Sequence, residues 1–257
     1  MWYQVKAYFK FLFRSTNQHG VHSPFVYELI TKCFYNKTKG EEYSKLINYK
    51  KKLLNNQEQI EITDLGAGSR ITKKNKRTIS SIAKSSGTTL KRAKLLNRLV
   101  TYFNPNAILE LGTSLGIGLQ AMSLGNPKAT ITTIEGCPNI SNFTKEQFDF
   151  ENLSNIKVIN SDFEKAFKKL DKKTFDLIFF DGNHQKEATL NYFELLLPKA
   201  HNDSVFIFDD IYWSKDMTEA WKTIKQHPKV TVTIDTFFWG LVFFRKEQEK
   251  EHFTIRV

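Results

Sequence analysis

The chain has 257 residues, 40% of them hydrophobic and 14% aromatic, enough to bury a core in one α/β domain with an extension or in two small domains. No apolar run is long enough to span a bilayer, and the opening Met1-Trp-Tyr-Gln-Val-Lys lacks the basic-then-apolar order of a signal peptide. The net charge of +11 is lopsided: residues 1–105 carry 20 basic and 6 acidic side chains, residues 106–257 carry 18 and 21.

A basic field over the first third can attract nucleic acid, an anionic membrane surface or an acidic small molecule, or serve solubility alone. Cys33 and Cys137 belong to no C-x-x-C and suit free thiols in a cytoplasmic protein.

Residues 1–60 read as a helical cap. Trp2, Tyr3, Val5, Tyr8, Phe9, Leu12 and Phe13 form a broad apolar stripe interleaved with Lys6, Lys10 and Arg14. Such a helix packs on its parent domain, or lies on a membrane surface or a partner. Ser23-Pro24 is an N-cap and first-turn pair for a helix through Cys33. Residues 60–69 hold a glycine-rich turn, Asp64-Leu-Gly-Ala-Gly-Ser69, but no acid occurs from 65 to 109 to complete a nucleotide site. The basic stretch that follows places a loop over 64–80.

From Thr88 the pattern becomes regular, so the chain divides into a basic N-terminal cap over 1–87 and an α/β domain over 88–257. Thr88 or Thr89 caps a helix that Asn104-Pro105-Asn106 ends. Strands at 107–111, 130–135, 156–160, 175–181 and 204–210 then alternate with helices at 116–124, 139–150, 162–170, 186–197 and 214–226. Alternation of this kind builds a parallel sheet with helices on both faces. Residues 230–235 and 238–244 are joined too tightly for a crossover and must form an antiparallel hairpin. The predicted fold is Rossmann-like: seven strands, five of them parallel and two in the C-terminal hairpin, with a helical N-terminal extension.

The stretch from Ala107 to Gly118 is the most telling. An apolar strand ends in Glu110, glycines follow at 112, 116 and 118, and a helix begins. Glycines there admit a ligand close to the backbone, where free N–H groups and the helix dipole face it. Glu135 closes a second strand roughly twenty residues on, where ribose hydroxyls are held. A G-x-G-x-x-G frame from Gly112 fails at Ser114 and Ile117, against a nicotinamide nucleotide. The site of an open α/β sheet lies beyond the carboxyl ends of its strands, where Glu110, Glu135, Ser161-Asp162, Asp181-Gly-Asn-His184 and Asp209-Asp210 would converge.

Glu110-x-Gly112-x-x-x-Gly116 with Glu135 resembles the cofactor motifs of class I S-adenosylmethionine (SAM) methyltransferases. Phe175-Asp-Leu-Ile-Phe-Phe-Asp-Gly-Asn-His184 and Val205-Phe-Ile-Phe-Asp-Asp-Ile-Tyr-Trp213 resemble the fourth- and fifth-strand motifs of the catechol O-methyltransferase-like group, over about residues 88–245. The resemblance implies SAM as cofactor, with Glu110, Gly112, Thr113, Ser114 and Gly116 around the methionine part. It places the ribose on Glu135 beside Gly136, and the adenine near Ser161, Asp162 and Phe163. Asp181 and His184 take catalytic roles, with Asp181 also near the cofactor. His184 falls where such enzymes carry a lysine base.

Asp181, Asp209 and Asp210 match positions that hold a divalent cation, Mg2+ by its oxygen ligands, in metal-dependent members. The same acids could instead cap helices and hold SAM without metal. The chain has Asp-Asp where metal-binding members commonly have Asp-Asn. The expected activity is O-methylation of a small hydroxylated acceptor, anionic if the basic field serves to attract it, in a chain that could form a homodimer. Alternatives are methylation of RNA or another polyanion through the basic N-terminal part, and a SAM-fold binding protein without turnover. No RNA-binding signature is present.

Overall fold

Strand and helix alternate from Thr88 onward in the computed structural model, which describes residues 2–37, 40–63, 75–85, 87–150, 153–170 and 174–257. The strands are β1 (Gln59–Glu61), β2 (Lys76–Thr78), β3 (Ala107–Leu111), β4 (Thr130–Glu135), β5 (Ile156–Asn160), β6 (Leu177–Phe180), β7 (Val205–Asp209), β8 (Val232–Asp235), β9 (Trp239–Phe243) and β10 (Glu251–Thr254). The α-helices are α1 (Trp2–Arg14), α2 (Pro24–Glu28), α3 (Glu41–Asn55), α4 (Ile79–Ser85), α5 (Leu90–Phe103), α6 (Ile117–Gly125), α7 (Pro138–Phe150), α8 (Phe163–Lys169), α9 (Lys186–Leu196) and α10 (Lys215–Gln226). Two compact units result, one of Asn36–Lys168 and one of Met1–Tyr35 with Lys169–Val257.

In the unit of Asn36–Lys168, β3, β4 and β5 run parallel, with Glu110 opposite Thr133 and Glu135 opposite Asn160. Ile108, Leu109, Ile131 and Ile134 are fully buried, as apolar runs covered on both sides must be. Thr89 caps α5 by accepting from the Arg92 N–H, and Asn104 ends it in the left-handed region. Residues 75–80 do not form the predicted loop. Lys76–Thr78 pair antiparallel with Gln59–Glu61, and α4 follows at once. Main-chain bonding, not an apolar pattern, makes this ribbon, so Lys76 and Arg77 concealed it. The second glycine-rich turn at 64–69 and the rest of the predicted loop through 74 lie outside the described residues.

In the other unit, β6 and β7 are parallel, β7 and β9 antiparallel, and β8 and β9 form the expected hairpin. Phe208 meets Trp221 of α10, whereas Phe243 meets Phe25 of α2, so helices cover both faces. Among the described residues the main strands number eight, not seven, because β10 pairs parallel to β8. Its four residues hold one buried apolar side chain, Phe253, too little to read as a strand. Main-chain bonds from Glu251 to Thr231 and from Ile255 to Asp235 hold it.

Helix α1 packs with Ala7 and Phe11 against Phe237. These two residues are not in the predicted apolar stripe, most of which stays exposed. No helix among the described residues is long and apolar enough to cross a membrane.

Candidate active site

The turn after β3 takes three left-handed residues to reverse the chain: Gly112 (φ 93°), Ser114 (φ 47°) and Gly116 (φ 76°). A side chain at 112 would be strained in that conformation. The Gly112 N–H donates to the Ile134 carbonyl (2.9 Å), tying the turn to β4. A Cβ at Gly116 would lie 2.7 Å from Phe148 and 3.0 Å from Thr144, so this glycine also lets α7 close on the turn. Thr144 Oγ1 donates to the Ser114 carbonyl (2.7 Å) from the same helix.

Glu110 is 1% exposed. Thr133 Oγ1 donates to its Oε2 (2.6 Å) and is 2.5 Å from Thr113 Oγ1. One proton on each hydroxyl then makes Thr113 the donor to Thr133, a three-residue relay from turn to strand. Burial pushes the Glu110 carboxyl up to about 8; the Thr133 bond pulls it back and the Glu135 charge adds to the rise. The relay needs Thr133, which sequence reading passed over. Its signal was register, since Thr133 stands opposite Glu110.

Glu135 joins two turns. Its Oε2 accepts from the Ser114 N–H (3.0 Å) and its Oε1 from the Cys137 N–H (2.9 Å). Its carbonyl accepts from the Ser161 N–H (3.1 Å), while Asn160 Nδ2 donates to the carbonyls of Glu135 (2.9 Å) and Gly136 (3.2 Å). Glu110, Thr113, Ser114, Glu135 and Gly136 are therefore linked by hydrogen bonds or adjacency at the carboxyl ends of β3 and β4, and Ser161 joins through its backbone. Asp162 accepts from the Lys165 N–H (2.9 Å) and pairs with Lys165 Nζ (3.0 Å), which caps α8 and lowers its carboxyl below the usual range. Phe163 stacks on Phe167 (6.4 Å) in the same helix.

In the unit carrying β6 and β7, Asp181, His184 and Asp209 each offer a ligand atom, all within 4.8 Å of one another. His184 Nε2 is 3.9 Å from Asp181 Oδ1. Asp210 is not in this group. Its backbone is left-handed (φ 51°), and its carbonyl accepts from the Trp213 N–H (2.7 Å). His184, expected as the base, joins Asp181 and Asp209 in this group.

The loop after β7 is anchored by residues that sequence reading did not single out. Tyr212 Oη donates to Asp235 Oδ2 (2.6 Å), and the Phe237 N–H donates to Oδ1 (2.8 Å). Tyr212 also stacks on Phe237 (5.0 Å). Burial raises both the Tyr212 hydroxyl and the Asp235 carboxyl above their ordinary values. Two apolar strands ending in Asp did not reveal this pairing across a hairpin.

The donors suit the cofactor implied by the strand-end motifs. Glu135 is an acceptor at the end of the second strand, and Glu110 is a buried acid able to become the counter-charge of a bound ammonium. The carboxylates of Asp181 and Asp209, close together, call for a cation or a proton between them, and with an imidazole they can hold a divalent ion.

Comparison with known proteins agrees with this chemistry. Residues 109–211 match a family model described as a methyltransferase domain. The fold is similar to that of an O-methyltransferase from Bacillus cereus in complex with S-adenosylhomocysteine (SAH), at 16% identity and TM-score 0.56, covering 82% of this chain and 94% of that one. The SAH-bound methyltransferase PaMTH1 of Podospora anserina is similar at 15% identity and TM-score 0.62, covering 88% and 97%. The SAM complex of the O-methyltransferase TomG of Streptomyces achromogenes, involved in tomaymycin synthesis, is similar at 14% identity and TM-score 0.57, covering 90% and 99%. The chain thus has the Rossmann-like methyltransferase fold.

Proposed function

We propose that this chain, whose residues 109–211 match a methyltransferase-domain model, transfers the methyl group of SAM to an oxygen of a small hydroxylated acceptor. The observation that carries the reading is Glu135, whose carboxylate accepts N–H bonds from the turns after both β3 and β4. A carboxylate at the end of the second strand can accept ribose hydroxyls, and the turn from Gly112 to Gly116 is assigned to the methionine part. Ser161, Asp162 and Phe163 are assigned to the adenine side. Residues 88–257 make up the catalytic part and 1–87 its extension.

SAM, when bound, supplies a methyl group on a positively charged sulfur. The chain's contribution is to hold it and to ready the acceptor. Glu110 gives up its proton as the ligand's ammonium group arrives. His184, whose Nε2 lies 3.9 Å from Asp181 Oδ1, takes the proton of the acceptor hydroxyl. The acceptor oxygen, relieved of its proton by His184, would be the atom that receives the methyl group, with SAH as the other product. Were Mg2+ present, Asp181, His184 and Asp209 would hold it, His184 then serving as a neutral ligand and not as the base, and the ion would lower the acceptor's pKa instead. The buried free thiols Cys33 and Cys137 suit the reducing cytoplasm.

The test is titration calorimetry with SAM and SAH, followed by methyl-transfer assays on phenolic, aliphatic hydroxyl and RNA acceptors. Micromolar binding of both ligands with turnover on a hydroxyl compound is the expected result. Failure to bind either ligand would remove the proposal.

A further inference from the structure

Helix α1 is apolar on two sides, and the fold uses only one. Ala7 and Phe11 are buried against Phe237, and Tyr8 meets the same ring edge-on at 4.8 Å. Tyr3 Oη donates to Thr218 Oγ1 (2.7 Å) and fixes the helix to α10. On the other side stand Phe13 (90% exposed), Trp2 (79%), Phe9 (57%) and Val5 (44%). At about 100° per residue these four fall within about 80° of arc. They form one continuous ridge, not scattered surface residues. Large apolar side chains gathered on one exposed face mark an interaction site.

The charges beside the ridge identify the occupant. Lys6 and Lys10 are exposed and follow the ridge along one flank, with Arg14 beyond them. No acidic residue precedes Glu28 in the sequence, so α1 itself carries positive charge alone. Trp and Phe over an apolar ridge, flanked by lysines, is the composition of a helix that lies in the interface of an anionic bilayer. The aromatic rings enter the headgroup boundary and the ammonium groups meet lipid phosphates. A protein partner of the same chain would bring its own lysines against these.

We propose that α1 is a membrane-surface anchor that docks the protein onto anionic phospholipid through Trp2, Val5, Phe9 and Phe13, with Lys6 and Lys10 as the electrostatic contacts. The inference is independent of the methyl acceptor.

The test is flotation of the full 257-residue chain with phosphatidylcholine vesicles, with or without phosphatidylglycerol. Binding is expected on the anionic vesicles only, weakening as salt rises. Phe9→Ser with Phe13→Ser, and separately Lys6→Glu with Lys10→Glu, should each reduce the bound fraction by roughly tenfold or more. All four positions are exposed, so thermal melts should stay near the wild-type value. SAM binding, if present, should be unchanged in both variants. Absence of wild-type flotation overturns the proposal, as does flotation that both variants retain. If sedimentation shows a dimer that Phe13→Ser converts to monomer, with no vesicle binding, the ridge belongs to a second copy and the proposal is likewise overturned.

Discussion

Glu110→Gln isolates the consequence of burying an acid under the cofactor turn. The carboxyl is raised from 4.5 to about 8, chiefly by burial. A group raised in the folded state favours folding fully below its unfolded value and loses that contribution as pH rises through the folded one. The window is therefore pH 4.5 to 8, and stability falls across it. Each tenfold change in proton affinity is about 1.4 kcal/mol, so the full loss is about 5 kcal/mol and roughly 3 kcal/mol of it has occurred by pH 7. Glutamine has nearly the same shape, can accept from Thr133, and does not titrate.

Urea unfolding of both proteins at pH 5 and pH 8 measures the effect, because groups common to the two cancel in the difference. The stability of Glu110→Gln relative to wild type should rise by about 3 kcal/mol between these pH values. A difference that stays constant to within about 0.5 kcal/mol would refute the buried neutral acid. The same proton bears on the ligand. SAM binding at pH 7 should release a proton from wild type and none from the variant, seen as a binding enthalpy that depends on the buffer only in the wild type.

Gly112→Val places a β-branched side chain where φ is 93° and should abolish SAM binding, while substitutions of Gly66 and Gly68 should change affinity only a few fold; equal losses in calorimetry at both turns would contradict the assignment. Glu135→Ala should weaken SAM and SAH alike, by about 10-fold or more, and raise KM more than it lowers kcat; a change confined to kcat would speak against a ribose contact. EDTA should abolish methyl transfer, Mg2+ restore it, and Asp181→Ala prevent the recovery. Full activity in EDTA would leave His184 as the base, and His184→Ala would then cost on the order of 100-fold in kcat.

The alternation of strand and helix from Thr88, the caps at Ser23 and Thr89, and the acids at strand ends were all legible in the sequence. Each is a local pattern, set by side-chain period, capping chemistry and glycine placement within a few residues. The Glu110–Thr133–Thr113 relay was not legible, because it depends on which residues β3 and β4 set opposite one another. Nor was β10, whose bonds are main-chain bonds to β8 and leave little trace in side-chain pattern. The tertiary structure also selected which side of α1 is buried: both sides are apolar, and only the position of Phe237 distinguishes them. It also brought His184 beside Asp181 and Asp209. The Tyr212–Asp235 anchor spans more than twenty positions of sequence, so no local pattern could show it.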